Sequence, residues 1–213
     1  MKREHSTMRY TQGCDAVADV TPAAVEPAAT IARLASPQPL DVRKFAVHVK
    51  QCQIQKFTFD YFMHGIAEES GEVFEAVRAA KAEGMVDKAK THAVLSEIGD
   101  VLWYVTSFSM EVGTAMDMPE TWPVVEAGAP EPEVQLLAIA SKLSGRVKKS
   151  MRGDKPLEQF VPAMLQHRDG LLLECAKIAA NHQSTLEQCA TENVRKLGGR
   201  FARNTVFGDG DGR

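Results

Sequence analysis

Apolar residues recur along this chain with helical spacing. Ile66, Val73, Phe74 and Val77 form one stripe, and Leu95, Ile98, Leu102, Val105 and Phe108 a second. Leu136, Leu137, Leu143 and Val147 form a third, and Leu171, Leu172, Cys175 and Ile178 a fourth. No stretch alternates with period two over a useful length. The expectation is an all-α protein, built as an antiparallel helical bundle. Two stretches interrupt the pattern. Residues 1–40 are rich in Ala and Pro without a sustained stripe, which predicts a disordered tail outside the fold. Pro119, Pro123, Pro130 and Pro132 forbid a continuous helix and mark a linker over 119–132. The remainder divides into a helical half over 41–118 and a second over 133–213.

On that helical frame the segment HGIAEESGEVFEAVRAA, His64 to Ala80, concentrates Glu68, Glu69 and Glu72 among apolar residues. At about 100° per residue, Glu69 and Glu72 lie within roughly 60° of each other and Glu68 about 40° from Glu72 on the other side. In LSEIGDVLWYV, Glu97 and Asp100 repeat the three-residue spacing, with Tyr104 between them in angle. A solvated helix face would offset such acids with lysines four residues on. The residues four after Glu68, Glu69 and Glu72 are instead Glu72, Val73 and Ala76. Two antiparallel helices, each with a carboxylate pair, can surround a cation with four or more oxygens. Hard oxygen ligands without Cys or His favour Mg²⁺ or Mn²⁺. No Glu has a His three residues later, so a di-iron site of the Glu-x-x-His kind is set aside.

Composition narrows the partners. The 213 residues carry a net charge of −3, with a pI near 6.1, which gives no global attraction to nucleic acid or to an anionic membrane. No apolar run has the length of a membrane span, and the first residues hold Arg3, Glu4, His5 and Arg9 with no apolar signal-peptide core, so a cytoplasmic protein is expected. Cys14, Cys52, Cys175 and Cys189 are scattered without a CxxC pair and fit reduced thiols better than a zinc site.

EESGE, then EIGD, then VLWYV resemble the MazG-like all-α NTP pyrophosphohydrolases, with their acidic ExxE helix followed by an ExxD helix. ENVRKLGGRFARNTVFGDGDGR is similar to the NxxKLxxR segment and GDGD-Arg tail of many members, so the resemblance spans Gly65 to Arg213. It implies hydrolysis of a nucleoside triphosphate to the monophosphate and pyrophosphate, with Mg²⁺ held by Glu69, Glu72, Glu97 and Asp100. Glu68 matches the extra acid that often precedes the first motif.

The same chemistry asks for further groups. A carboxylate not committed to metal can take a proton from the attacking water, and Glu68 and Glu69 are the candidates. Triphosphate charge needs cations, and Asn193, Lys196, Arg200 and Asn204 form one narrow stripe, with Lys196 and Arg200 as the phosphate binders. Trp103 and Tyr104 can stack on a base or fill core; Trp103 follows Val101 and Leu102, which favours core.

Aligning Ser144-Gly145 on Ser70-Gly71 brings Val147 onto Val73 and Arg146 onto Glu72. Farther on, His167 takes the place of Glu97, Gly170 that of Asp100 and Leu172 that of Leu102. The expectation is a tandem duplication: an active hairpin and a degenerate copy form an internal pseudo-dimer, with one metal site where two copies would have had two. Lys142, Arg146 and Lys149 share a face of that copy, as either a solvated surface or an approach to the triphosphate. A homodimer, a non-catalytic nucleotide- or metal-binding regulator and a helical interaction module stay open from sequence alone.

Overall fold

The computed structural model describes residues 41–53, 56–82, 88–116 and 131–203. Among them are six helices and no strand: α1 (Val42–Cys52), α2 (Phe59–Ala82), α3 (Lys88–Glu111), α4 (Pro132–Met151), α5 (Val161–Asn181) and α6 (Leu186–Arg203), with a 3₁₀ turn at Leu157–Gln159 before α5. The tail over 1–40, most of the linker, Asn204 and the GDGD segment lie outside the described residues. Pro132, the last residue assigned to the linker, opens α4 instead. A proline fits the first helical turn, where its missing N–H has no partner to lose.

The α2–α3 pair is antiparallel, because Tyr61 of α2 meets Tyr104 of α3 while Glu69, two turns on, meets Glu97 and Asp100. Phe62, Ile66, Val73 and Val77 of α2 and Ile98, Leu102, Val105 and Phe108 of α3 belong to one continuous core. Full burial of such side chains contributes about 1.5–3 kcal/mol each. α4 and α5 form a second antiparallel hairpin, with Ile139 against Gly170 and Arg146 near His167. α4 packs along α2, and α6 packs along α3. No described helix is long and apolar enough to cross a membrane.

Two polar ties lock the hairpins. Lys81 near the end of α2 reaches Glu133 (2.5 Å) and Glu131 (3.1 Å) at the start of α4. Arg168 of α5 donates to Thr114 Oγ1 (3.2 Å) and the Ala115 carbonyl (3.1 Å), a cation set where α3 ends and its dipole is negative. Cys52, Cys175 and Cys189 are free and buried.

His48 of α1 is fully buried, its Nε2 3.3 Å from Cys52 Sγ. Burial pushes the imidazole down to about 4 and the thiol up to about 12, so both are neutral near pH 7. The unfolded chain therefore binds a proton at His48 that the folded chain refuses. The associated stability is complete above the ordinary histidine value and is lost as pH falls from there through about 4, by about 3 kcal/mol in total. Urea melts of wild type and His48→Gln across that window are expected to show a steeper loss on acidification in the wild type; parallel profiles would refute the assignment.

Candidate metal and phosphate site

The site is built by the register of α2 against α3. Tyr61, Gly65 and Glu69 are four apart and so share one face of α2. Tyr104 lies across Gly65, where any β-carbon would fall inside its ring, and its hydroxyl is 3.3 Å from that of Tyr61. The next turn brings Glu69, Glu97 and Asp100 together: one carboxylate oxygen from each lies within 4.8 Å of the other two. Glu97 is buried; Glu69 and Asp100 are half-buried.

The third wall is α6. A β-carbon on Gly99 would stand 2.7 Å from the Cys189 carbonyl and 2.9 Å from Asn193 Cβ, so the absence of a side chain there allows α6 to close on α3. That approach delivers Asn193 Nδ2 to Asp100 Oδ1 at 2.6 Å, and the Lys196 ammonium to Asp100 Oδ2, with Glu97 Oε2 3.9 Å away. Three carboxylates against one ammonium would leave two negative charges. Burial, followed by the neighbouring Asp100, Glu72 and Glu97, pushes the Glu69 carboxyl up to about 9, against a smaller opposing effect of Lys196. A carboxyl so placed ionises when further positive charge is supplied, and an all-oxygen donor set is suited to a hard divalent cation.

The remaining sequence candidates take distinct places. Glu72 is exposed and outside the three-acid group, although its charge reaches Glu69. Glu68 is exposed, on the side where its charge reaches Tyr104. Burial, the Tyr61 hydrogen bond and the charges of Glu69 and Glu68 raise the Tyr104 phenol, which keeps its proton. Trp103 is buried, edge-on to Tyr104 (5.0 Å between centroids) and to Phe57 (6.3 Å), and belongs to the core. Arg200 is buried one turn beyond Lys196. Asn193 and Lys196, expected on phosphate, are thus seated on Asp100. Tyr61 and the two glycines escaped the sequence reading; the four-residue spacing of Tyr61, Gly65 and Glu69 was the available signal.

The all-α bundle thus sets a carboxylate cluster between two antiparallel helices, with a lysine beside it, an arrangement that could hold a divalent cation. Residues 57–119 match the MazG nucleotide pyrophosphohydrolase domain, so the chain carries this domain over α2 and α3, including all three clustered acids. No curated protein and no solved structure matches the chain. Asn193 and Lys196 lie outside the matched segment.

Proposed function

We propose that the protein is a Mg²⁺-dependent nucleoside triphosphate pyrophosphohydrolase, with Mn²⁺ as a substitute, that converts an NTP or dNTP to the monophosphate and pyrophosphate in nucleotide pool control or housecleaning. The observation that carries this reading is the Glu69–Glu97–Asp100 cluster within the matched domain. These three, with Glu72 at the rim, would hold the cation. When bound, the cation neutralises phosphate oxygens and acidifies water.

The chain's own groups supply the rest. Glu68, exposed beside the cluster and outside it, accepts the proton of the attacking water, with Glu69 as the alternative. Water oxygen bonds to the α-phosphorus, the bridging bond to the β-phosphate breaks, and its electron pair leaves on pyrophosphate. Lys196, seated on Asp100 with Glu97 close by, is read as the cation that a phosphate oxygen would meet beside the acids. Arg200 and Asn204 continue the same stripe, and Tyr104 offers its ring beside the acids. The α4–α5 hairpin is read as the degenerate copy that completes an internal pseudo-dimer.

The test is product analysis with each common triphosphate and Mg²⁺. Monophosphate and pyrophosphate in equal amounts are expected. Diphosphate and orthophosphate as primary products would refute the reading, and metal- and nucleotide-dependent thermal stabilisation without turnover would make the protein a regulator.

A further inference from the structure

The α4–α5 hairpin carries charge of the opposite sign to the acid cluster. From Val134 to Met151 the sequence has four cations, Lys142, Arg146, Lys148 and Lys149, and no acid. Lys142 and Arg146 are four apart on one face of α4. Ile139, one turn earlier, presses on Gly170, where a β-carbon would lie 3.2 Å from its Cδ1. This close approach brings His167 of α5 beside Arg146 and Lys142; burial, and after it their charges, hold its imidazole below the ordinary histidine range.

The acids on α5 do not answer these charges. Asp169 pairs with Arg168 at 2.8 Å and Glu174 with Lys177 at 2.9 Å. Two nitrogens of the cluster, Arg146 Nε and His167 Nε2, are buried without a hydrogen-bond partner. Buried donors and acceptors are almost always satisfied, and leaving one without a partner costs about 1–3 kcal/mol. A guanidinium edge, an imidazole and an exposed ammonium, none of them in an ion pair among the described residues, match an oxyanion with several acceptor oxygens.

We propose that Arg146, His167 and Lys142 form a binding site for a phosphoryl group, built from residues of α4 and α5 and not from the carboxylates of α2 and α3. The site is an anion receptor with no catalytic role, and it does not depend on the pyrophosphohydrolase reading. Free phosphate or pyrophosphate and the phosphate of a nucleotide share the chemistry it recognises.

The experiment is calorimetric and thermal-shift titration of the full chain, without divalent metal and at matched ionic strength. Inorganic phosphate, pyrophosphate and a nucleoside monophosphate are the probes, with chloride as the control. Saturable binding is expected, weakened about tenfold by Arg146→Gln and about threefold by Lys142→Gln, and retained in Asp100→Asn. Lys142 is exposed, so its variant tests the site without endangering the fold. Tighter binding of the monophosphate would assign a nucleotide-borne phosphate, and equal or weaker binding a free anion. A response no greater than that to chloride, or one that survives both α4 variants, would overturn the proposal. So would one that Asp100→Asn abolishes.

Discussion

Asp100→Asn is expected to lower kcat/KM for Mg²⁺-dependent pyrophosphate release at least about a thousandfold, roughly 4 kcal/mol of lost transition-state stabilisation. Asp100 is the acid on which the site converges: it is clustered with Glu69 and Glu97 and accepts from both Asn193 and Lys196. Amide replaces carboxylate at nearly constant shape, removing one negative charge and one acceptor. The choice of Asn is deliberate. Like-charge crowding makes it natural to expect that deleting an acid relieves repulsion and leaves the helices intact. The structure gives Asp100 a second duty as the acceptor for two α6 donors. Asp100→Ala would strand those donors, at about 1–3 kcal/mol, and confuse catalysis with folding. Hydrolysis assays alongside urea melts check the prediction. A variant as stable as the wild type and still active would remove Asp100 from the site.

The second large effect is expected from Gly99→Ala. Its new methyl would meet the Cys189 carbonyl, and backbone cannot swing aside as a flexible side-chain end can. α6 must then back away from α3, at a cost of about 1–3 kcal/mol. The same movement draws Asn193 and Lys196 from Asp100, so activity should fall at least about tenfold in protein that is still folded. Gly71→Ala is the control, since a β-carbon there meets nothing within 4 Å. Replacing glycine by alanine in a helix interior is expected to stabilise by about 0.5–1 kcal/mol. Thermal melts and kinetics on the pair decide the matter: equal behaviour of the two variants would show that close packing at Gly99 is not what seats α6.

The helical character of the fold was legible because four apolar stripes of period 3.6 separate cleanly, and an antiparallel bundle was the expectation drawn from them. The acids could be placed on facing helices because helical angle depends on spacing alone. Depth was harder to read. Glu69, Glu97 and Asp100 cluster while Glu72 stays at the rim, because the register of α2 on α3 is set by where Tyr104 finds room over Gly65, a fact about two helices together. Lys196 illustrates the same limit. Its stripe with Asn193 and Arg200 was visible, but its partner depends on how α6 crosses α3, which Gly99 decides. α1 has no stripe of its own in the sequence reading, yet it buries Phe45, His48 and Val49 against the bundle.

The bond between Lys196 and Asp100 joins residues 96 apart in the chain. During synthesis at about 5–20 residues per second, Asp100 precedes its lysine by roughly 5–20 s. Throughout that interval α2 and α3 can pair, yet the acids they gather lack the ammonium that balances part of their charge. A nascent chain is thus held short of a finished centre until α6 emerges. Completion of the three-acid centre is thereby tied to the continuity of the polypeptide from α3 to α6.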